Sequence, residues 1–124
     1  MKERTVNEKI KLIPYYPNYG VTYEWHQDKD VCKQVDNIDY TYSMERLEAM
    51  YNYLSSHGEC YYISYNNILI GDVSLTNEFE VAIVISKAYQ NMHIGRKCVG
   101  EIIKIAKEKG APYVRHKRVE PIRF

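Results

Sequence analysis

Strand-like and helix-like patterns of apolar residues follow one another along the first half of the chain. Residues 10–13 alternate and stop at Pro14, whose ring fixes φ and removes a donor, so they predict a short strand. Mixed helical spacing over residues 21–35, broken at Asp28–Asp30, predicts one or two short helices. Ser43 is a good N-cap for a clearer helix, which Gly58 ends. The apolar face of that helix consists of Leu47, Met50, Tyr51 and Leu54.

Strand-forming residues dominate the next stretch. Residues 59–65 and 68–75 are joined by Asn66-Asn67, a pair that tolerates the positive φ values of a tight hairpin turn. A third run, residues 79–86, completes an antiparallel meander. Its centre, Val81–Ile85, is apolar at every position, which predicts a strand that is covered on both faces.

The last helix is predicted from Ile94 to Lys109, with Gly110 at its end. Its inward stripe is predicted to be Ile94, Cys98, Val99, Ile102, Ile103 and Ala106, and its wet side Arg96, Lys97, Glu101, Lys104 and Lys107. Tyr113 and Val114 open one more strand, which Pro121 interrupts. Residues 1–124 are therefore expected to form a single α/β (α+β) domain, a mixed and mainly antiparallel sheet flanked by helices.

Composition narrows the functional classes. Seventeen basic and sixteen acidic residues leave a net charge of +1, which is not the footprint of a general nucleic-acid binder. The basic run Arg115–Arg118 leaves such binding as a minor alternative, but at a chain end it is typical of a solvated tail. The histidines are scattered and the three cysteines lack CxxC spacing, so neither a metal site nor a disulfide is predicted. Since no signal peptide or membrane span is seen, a cytoplasmic protein without membrane partners is expected.

The segment Lys87–Arg96, between the apolar strand and the last helix, has the properties of an anion site. The first N–H groups of a helix are unpaired, and the helix dipole is positive there. Arg96 and Lys97 at the helix start are unfavourable to the dipole unless a negative ligand compensates them. The alternative is an ordinary connection with two exposed cations.

The sequence Ile83-Val-Ile-Ser-Lys-Ala-Tyr-Gln-Asn-Met-His-Ile-Gly-Arg-Lys97 resembles the signature of the GNAT acyl-coenzyme A N-acyltransferases, especially the branch with ribosomal-protein N-terminal acetyltransferases. Gln90, Ile94 and Gly95 stand where that family has its Q/R-x-x-G-x-G/A turn. His93 replaces the first motif glycine, and Asn91 replaces another frequent one. Weaker similarity at residues 25–30 and 70–75, and the order of elements, extend the resemblance over roughly residues 8 to 114.

The resemblance implies that acetyl-coenzyme A binds in a V-shaped opening beside the apolar strand, where its acyl group is attacked directly by a neutral amine of a small molecule or a peptide N-terminus. It implies backbone pairing of the pantetheine with Ile83 and Ile85. The pyrophosphate would meet the turn and the helix start, at Gln90, Asn91, Met92, His93, Gly95 and Arg96. Glu80 and Asp72 are the candidate bases, Tyr61 and Tyr62 are candidate walls of the acceptor pocket, and no metal is implied.

The C-terminal tail departs from the family. Residues 114–124 do not resemble the usual C-terminal helix and last strands, and the tyrosine that commonly protonates the departing thiolate has no counterpart. Without that region the domain is expected to expose apolar surface and to form a homodimer. The alternative function is a shortened, noncatalytic module that binds coenzyme A or only self-associates.

Overall fold

The computed structural model describes residues 2–116 and 122–124, and these form one seven-stranded sheet with four α-helices. The strands are β1 (Arg4–Thr5), β2 (Ile10–Pro14), β3 (Gly58–Tyr65), β4 (Ile68–Thr76), β5 (Glu80–Ile85), β6 (Tyr113–His116) and β7 (Ile122–Arg123). The helices are α1 (Tyr19–Trp25), α2 (Lys29–Asp36), α3 (Met44–Ser56) and α4 (Ile94–Glu108). A single 3₁₀ turn, Lys87–Tyr89, follows β5.

The strands lie in the sheet in chain order, and every neighbouring pair is antiparallel except β5 and β6. These two are parallel because α4 carries the chain back across the sheet between them. The predicted mixed, mainly antiparallel sheet flanked by helices is confirmed.

Local sequence signals account for the turns and helix ends. Asn66 and Asn67 have φ values of 49° and 67°, as a two-residue hairpin turn requires. Asp28 caps α2 by accepting the N–H groups of Asp30 and Val31, which explains why the helical pattern breaks there. The α4 helix ends at Glu108, and Gly110, two residues later, has a φ of 78° that suits a residue without Cβ.

The apolar core lies in two layers, one on each face of the sheet. One layer is formed by α4 and the side chains of β2 to β6 that face it, including Leu12, Ile63, Val73 and Ile102. The other is formed by α1, α2 and α3 around Trp25, Leu47, Tyr51 and Tyr62. Helices on both faces explain why so short a chain buries residues from every helix.

The structure corrects two details of the predicted faces. Glu101 is only 8% exposed and accepts a hydrogen bond from Nη2 of Arg4 at 2.8 Å, so it does not lie on the wet side of α4. The strand β5 is not covered on both faces, since Ala82, Ile83 and Ile85 are only half-buried. These three residues line an open cavity.

The C-terminal tail is described only in part. Arg115 and His116 are exposed at the end of β6, whereas Lys117, Arg118 and Pro121 of the predicted tail lie outside the described residues. Across the described part of the chain, no helix is long and apolar enough to cross a lipid bilayer.

Candidate functional site

A cavity of about 940 Å³ opens between α3, β5 and the start of α4. Its walls are contributed by one stripe of α3, by Asp72 on β4, by the whole of β5 and by the turn that leads into α4. Nine of the ten site residues predicted from the sequence line it, and the exception is Met92, which is exposed outside the lining. The cavity therefore brings together residues that are distant in sequence.

The backbone of β5 faces the cavity at alternate residues. The N–H of Ser86 donates to Ile70 O at 2.8 Å, beside the Gly71↔Ile85 pair, so Ser86 and Val84 direct their backbone groups toward β4. By alternation, Ile83 and Ile85 direct their N–H and C=O groups toward the opposite edge. Among the described residues, β6 pairs with that edge only at positions 80 and 81.

The turn after β5 has an unusual backbone. Asn91 and His93 both have φ of 63°, in the left-handed region that favours glycine. These are the two positions at which the resemblance expects glycine. Asparagine and histidine are among the side chains that enter this region most readily, so the turn keeps its shape without glycine. The side chain of His93 makes no capping hydrogen bond to α4.

The first turn of α4 packs beside β5 at Gly95. A Cβ added to Gly95 would lie 3.6 Å from Cδ1 of Ile83 and 4.0 Å from Cγ1 of Ile85, which are ordinary contacts. The protein itself therefore does not require glycine at this position. Arg96 follows it, and this turn contains no acidic residue. An anion approaching the helix start would meet unpaired N–H groups and the charge of Arg96, with no acidic side chain in the first turn of α4.

The side chain of Gln90 makes two hydrogen bonds within the protein. Its Nε2 donates to Ile85 O at 3.0 Å and to Oε1 of Gln34 on α2 at 2.9 Å. The motif glutamine thus ties the turn both to the end of β5 and to α2. Lys87 reinforces the second connection through an ion pair with Asp30 at 2.7 Å, although that pair is exposed.

Asp72 is the buried carboxylate of the cavity. It lies on β4 opposite Val84, is 1% exposed, and accepts a hydrogen bond from the phenol of Tyr51 at 2.5 Å. Burial raises the pKa of Asp72 to about 6, against the opposing effects of the His26 imidazole and the Tyr51 hydrogen bond. The side chain is therefore largely ionised at neutral pH but accepts a proton far more readily than an exposed aspartate.

The other sequence candidates differ in their surroundings. Glu80 is half-buried at the first position of β5, where it also lines the cavity. Tyr61 and Tyr62 are buried in the core, on opposite faces of β3, and neither lines the cavity. The expectation that they form a pocket wall is corrected, since both rings are fully used in packing.

The sequence reading missed the cavity wall on α3. Arg46, Ala49, Met50, Tyr53 and Leu54 line the cavity, and their spacing of three and four residues places them on one stripe of the helix. Met50 and Leu54 were predicted on the apolar face of this helix, and both are only partly buried. The sequence signal that could have revealed this wall was the partly aromatic stripe of α3 that lies beside its buried stripe. Among the described residues no group of histidine, cysteine or acidic side chains is arranged to hold a metal ion.

Comparison with known families gives a match over most of the chain. The family model for the acetyltransferase (GNAT) family matches residues 21–120. No curated protein matches significantly.

Solved structures share the fold at low sequence identity. A GNAT family acetyltransferase from Elizabethkingia anophelis with acetyl-CoA bound has a TM-score of 0.59 and 22% identity, over 89% of this chain and 65% of that one. An acetyltransferase of the GNAT family from Bacillus anthracis has a TM-score of 0.71 and 17% identity, over 88% and 69%. RimL, a ribosomal-protein alpha-N-acetyltransferase in complex with coenzyme A, has a TM-score of 0.74 and 15% identity, over 93% and 73%. This chain thus spans about two thirds to three quarters of each.

Proposed function

Because the chain belongs to the acetyltransferase (GNAT) family, we propose that it transfers an acetyl group from acetyl-coenzyme A to a primary amine. The acceptor is a small molecule or the N-terminus of a peptide or protein. One observation carries the proposal: a single cavity joins an open strand edge and a glycine-containing helix start to a buried carboxylate of raised pKa. The first two features suit a pantetheine phosphate donor, and the third suits an amine.

The donor half of the proposed site consists of β5 and the turn after it. The outward N–H groups of Ile83 and Ile85 and the C=O of Ile83 are available to pair with the amides of the pantetheine arm, whereas Ile85 O already accepts a hydrogen bond from Gln90. The amides at the start of α4, near Gly95, and the charge of Arg96 would hold the pyrophosphate. Asn91, Met92 and His93 shape the approach through their backbone, and Gln90 fixes the turn to Ile85.

In the acceptor half we assign the base to Asp72. Acetyl-coenzyme A would supply a thioester, and attack by the neutral amine would form the C–N bond, break the C–S bond, release coenzyme A as its thiolate and free one proton from nitrogen. Asp72 receives that proton, since a base acts best when its pKa lies near the working pH. Tyr51 holds the carboxylate in place by its hydrogen bond. Glu80, at the far end of β5, is the second candidate.

The burial of Asp72 favours a catalytic protein over a noncatalytic module. A carboxylate in a nearly dry site lowers the stability of the fold at neutral pH, and a module that only self-associates would be more stable with an apolar or amide side chain there. Residues that reduce stability at neutral pH while facing a cavity are characteristic of active sites.

The donor site is tested by two matched glycine substitutions in α4. Gly95→Trp and Gly100→Trp place the same bulky side chain on α4, but only Gly95 lines the cavity, and nothing lies within 4 Å of a Cβ at Gly100. We expect calorimetry to show micromolar binding of acetyl-coenzyme A to the wild type and to Gly100→Trp, and binding at least about tenfold weaker to Gly95→Trp. Equal affinity of both variants would contradict the placement of the donor. Acetylation of a panel of primary amines then tests turnover.

Two further expectations belong to this proposal. A homodimer is predicted from the sequence, and light scattering at micromolar concentration tests it, with a clean monomer as the contrary outcome. A cytoplasmic location is likewise proposed, and fractionation of the source cells tests it.

A further inference from the structure

The α3 wall of the cavity has a distinctive chemistry. Ala49, Met50, Tyr53 and Leu54 form an apolar and aromatic surface, and Arg46 lies at its N-terminal end. Tyr53 is 53% exposed even though it lines the cavity. An occupant of this wall would therefore bury an apolar body and place a group beside a guanidinium.

Arg46 is held in position by two tyrosines. Its guanidinium carbon lies 4.8 Å from the ring centroid of Tyr42 and 5.4 Å from that of Tyr40, and its Nη1 donates to the hydroxyl of Tyr40 at 2.9 Å. Tyr42 is itself buried, so one of these two rings is firmly fixed. A side chain ordered in this way loses little entropy when it binds a ligand.

The charge of Arg46 is left without an acidic partner. Within the described ranges, residues 2–116 and 122–124, no ion pair includes it. It is also the third residue after the N-cap Ser43, at the positive end of the α3 dipole, where glutamate is the favoured residue. A guanidinium in this position is locally unfavourable, which indicates that its charge serves something other than the stability of the helix.

A negative charge enters the same cavity from the sheet. Asp72 on β4 lines the cavity together with Arg46, and it accepts a hydrogen bond from the phenol of Tyr51 on α3. The acceptor side of the cavity thus presents both a carboxylate and a guanidinium. This pair of charges is complementary to a molecule that carries both an ammonium group and an anionic group.

We infer that Arg46 determines acceptor specificity by binding an anionic group, such as a carboxylate, on the amine substrate. Asp72 meets the ammonium end, and the apolar surface of α3 covers the body between them. This inference rests on the proposed function, because it assigns the α3 side of the cavity to the acceptor. The other source of an anion would be a phosphate of the donor, and the experiment separates the two.

The test uses alanyl-phenylalanine and its C-terminal amide, which have the same amine and the same aromatic body but differ in one negative charge. Binding is measured by calorimetry, with and without saturating coenzyme A, so that no turnover is needed. We expect the wild type to bind the carboxylate form about tenfold more tightly than the amide. Arg46→Gln should abolish that preference, and Arg46→Lys should keep part of it because the charge remains.

Two controls separate this inference from the proposed function. Arg123→Gln removes another arginine that lies over a tyrosine ring, 5.8 Å from the centroid of Tyr113 and outside the cavity lining, and should leave the preference unchanged. The affinity for coenzyme A should stay within about twofold in Arg46→Gln, whose fold is checked by thermal unfolding.

A large loss of coenzyme A affinity would assign Arg46 to the donor and overturn the inference. Equal binding of the two probes by the wild type, including no binding of either, or a preference that survives in Arg46→Gln, would also overturn it. Failure of the proposed function shows separately, as no coenzyme A binding to the wild type.

Discussion

The phenol of Tyr51 on α3 donates a 2.5 Å hydrogen bond to Oδ2 of Asp72 on β4. Both side chains are buried, and the bond connects a helix of one layer to the centre of the sheet. Hydrogen bonding to the ionised form of a carboxylate lowers its pKa, whereas burial raises it. Burial is the larger of the two effects, so the pKa of Asp72 settles at about 6, close to the range in which the protein would work.

Removing the phenol oxygen of Tyr51 should change the balance between these effects on the pKa of Asp72. In Tyr51→Phe the carboxylate loses its donor while burial is unchanged, so we expect the pKa of Asp72 to rise above about 6, by roughly one unit. Titration of the Asp72 carboxyl carbon by NMR measures it directly. Tyr23→Phe, which removes a phenol outside the cavity lining, should leave the midpoint where it is. An unchanged titration midpoint in Tyr51→Phe would show that the hydrogen bond does not affect the pKa of Asp72.

The raised pKa of Asp72 also predicts how stability depends on pH. The folded protein binds a proton at Asp72 more tightly than the unfolded chain, so this residue favours folding most below its ordinary pKa of 3.8 and loses that contribution as the pH rises through about 6. Asp72→Asn removes the dependence. At pH 8 the variant should be more stable than the wild type by about 2–3 kcal/mol, and the two should converge near pH 4.

Denaturant unfolding across this pH range checks the prediction, with Asp39→Asn as the control because the Asp39 side chain is 87% exposed. A gain in stability that is the same at pH 4 and pH 8 would point to packing rather than charge. The same Asp72→Asn variant should lose acetyl transfer by a factor of about 10²–10⁴. Stability gained and activity lost together would identify the residue as one kept for function.

Local sequence signals were enough to predict the helices and the longer strands, but not the two-residue strands β1 and β7. The hairpin follows from Asn66-Asn67, the cap of α3 from Ser43, and the turn before α4 from the segment after β5, because each depends on a few neighbouring residues. Pairings between distant residues left no such signal. Arg4 reaches Glu101 across 97 positions, and a pattern that assigns charges to the wet side of a helix cannot anticipate a buried partner from another element.

The cavity lining was misread for a related reason. The apolar side chains of an open ligand cleft follow the same periodicity as those of a core, so the apolar run Val81–Ile85 predicted a strand covered on both faces, and the apolar face of α3 gave no sign that Met50 and Leu54 line a cavity. Only the three-dimensional arrangement separates the two cases. The motif turn was identifiable because its residues are contiguous, whereas the pairing of Asp72 with Tyr51 was not.

The left-handed backbone at His93 leads to a prediction about the motif position. Any residue with a Cβ is strained at φ of 63°, and the strain is greatest for β-branched side chains. We expect His93→Val to lower the free energy of unfolding by about 1 kcal/mol or more, and His93→Gly to leave it nearly unchanged, since relief of strain offsets the added freedom of the unfolded chain.

Substitutions of His93 also distinguish the effect of its ring from the effect of its Cβ on the affinity for acetyl-coenzyme A. His93→Gly removes both and should tighten acetyl-coenzyme A binding severalfold, because the backbone becomes easier to approach. His93→Ala removes only the ring and serves as the matched comparison. Calorimetry on the wild type and both variants measures the effect. If alanine improves binding as much as glycine does, the ring obstructs the ligand and the backbone argument is wrong.

The hydrogen bonds of Gln90 predict a difference between two glutamines that contact each other. Gln90→Ala removes the bond to Ile85 O and the bond to Gln34, so the turn loses its connection to the end of β5. Gln34→Ala removes only the second bond, and it leaves Gln90 attached to Ile85. Because the turn must hold the start of α4 beside the edge of β5, we expect acetyl-coenzyme A to bind about tenfold more weakly to Gln90→Ala. For Gln34→Ala we expect a loss of affinity of less than about twofold.

Equal losses of affinity would mean that contact with α2, rather than with the strand, positions the turn. No loss in either variant would mean that the turn holds its shape through its backbone alone, with the left-handed residues Asn91 and His93 as the remaining determinants.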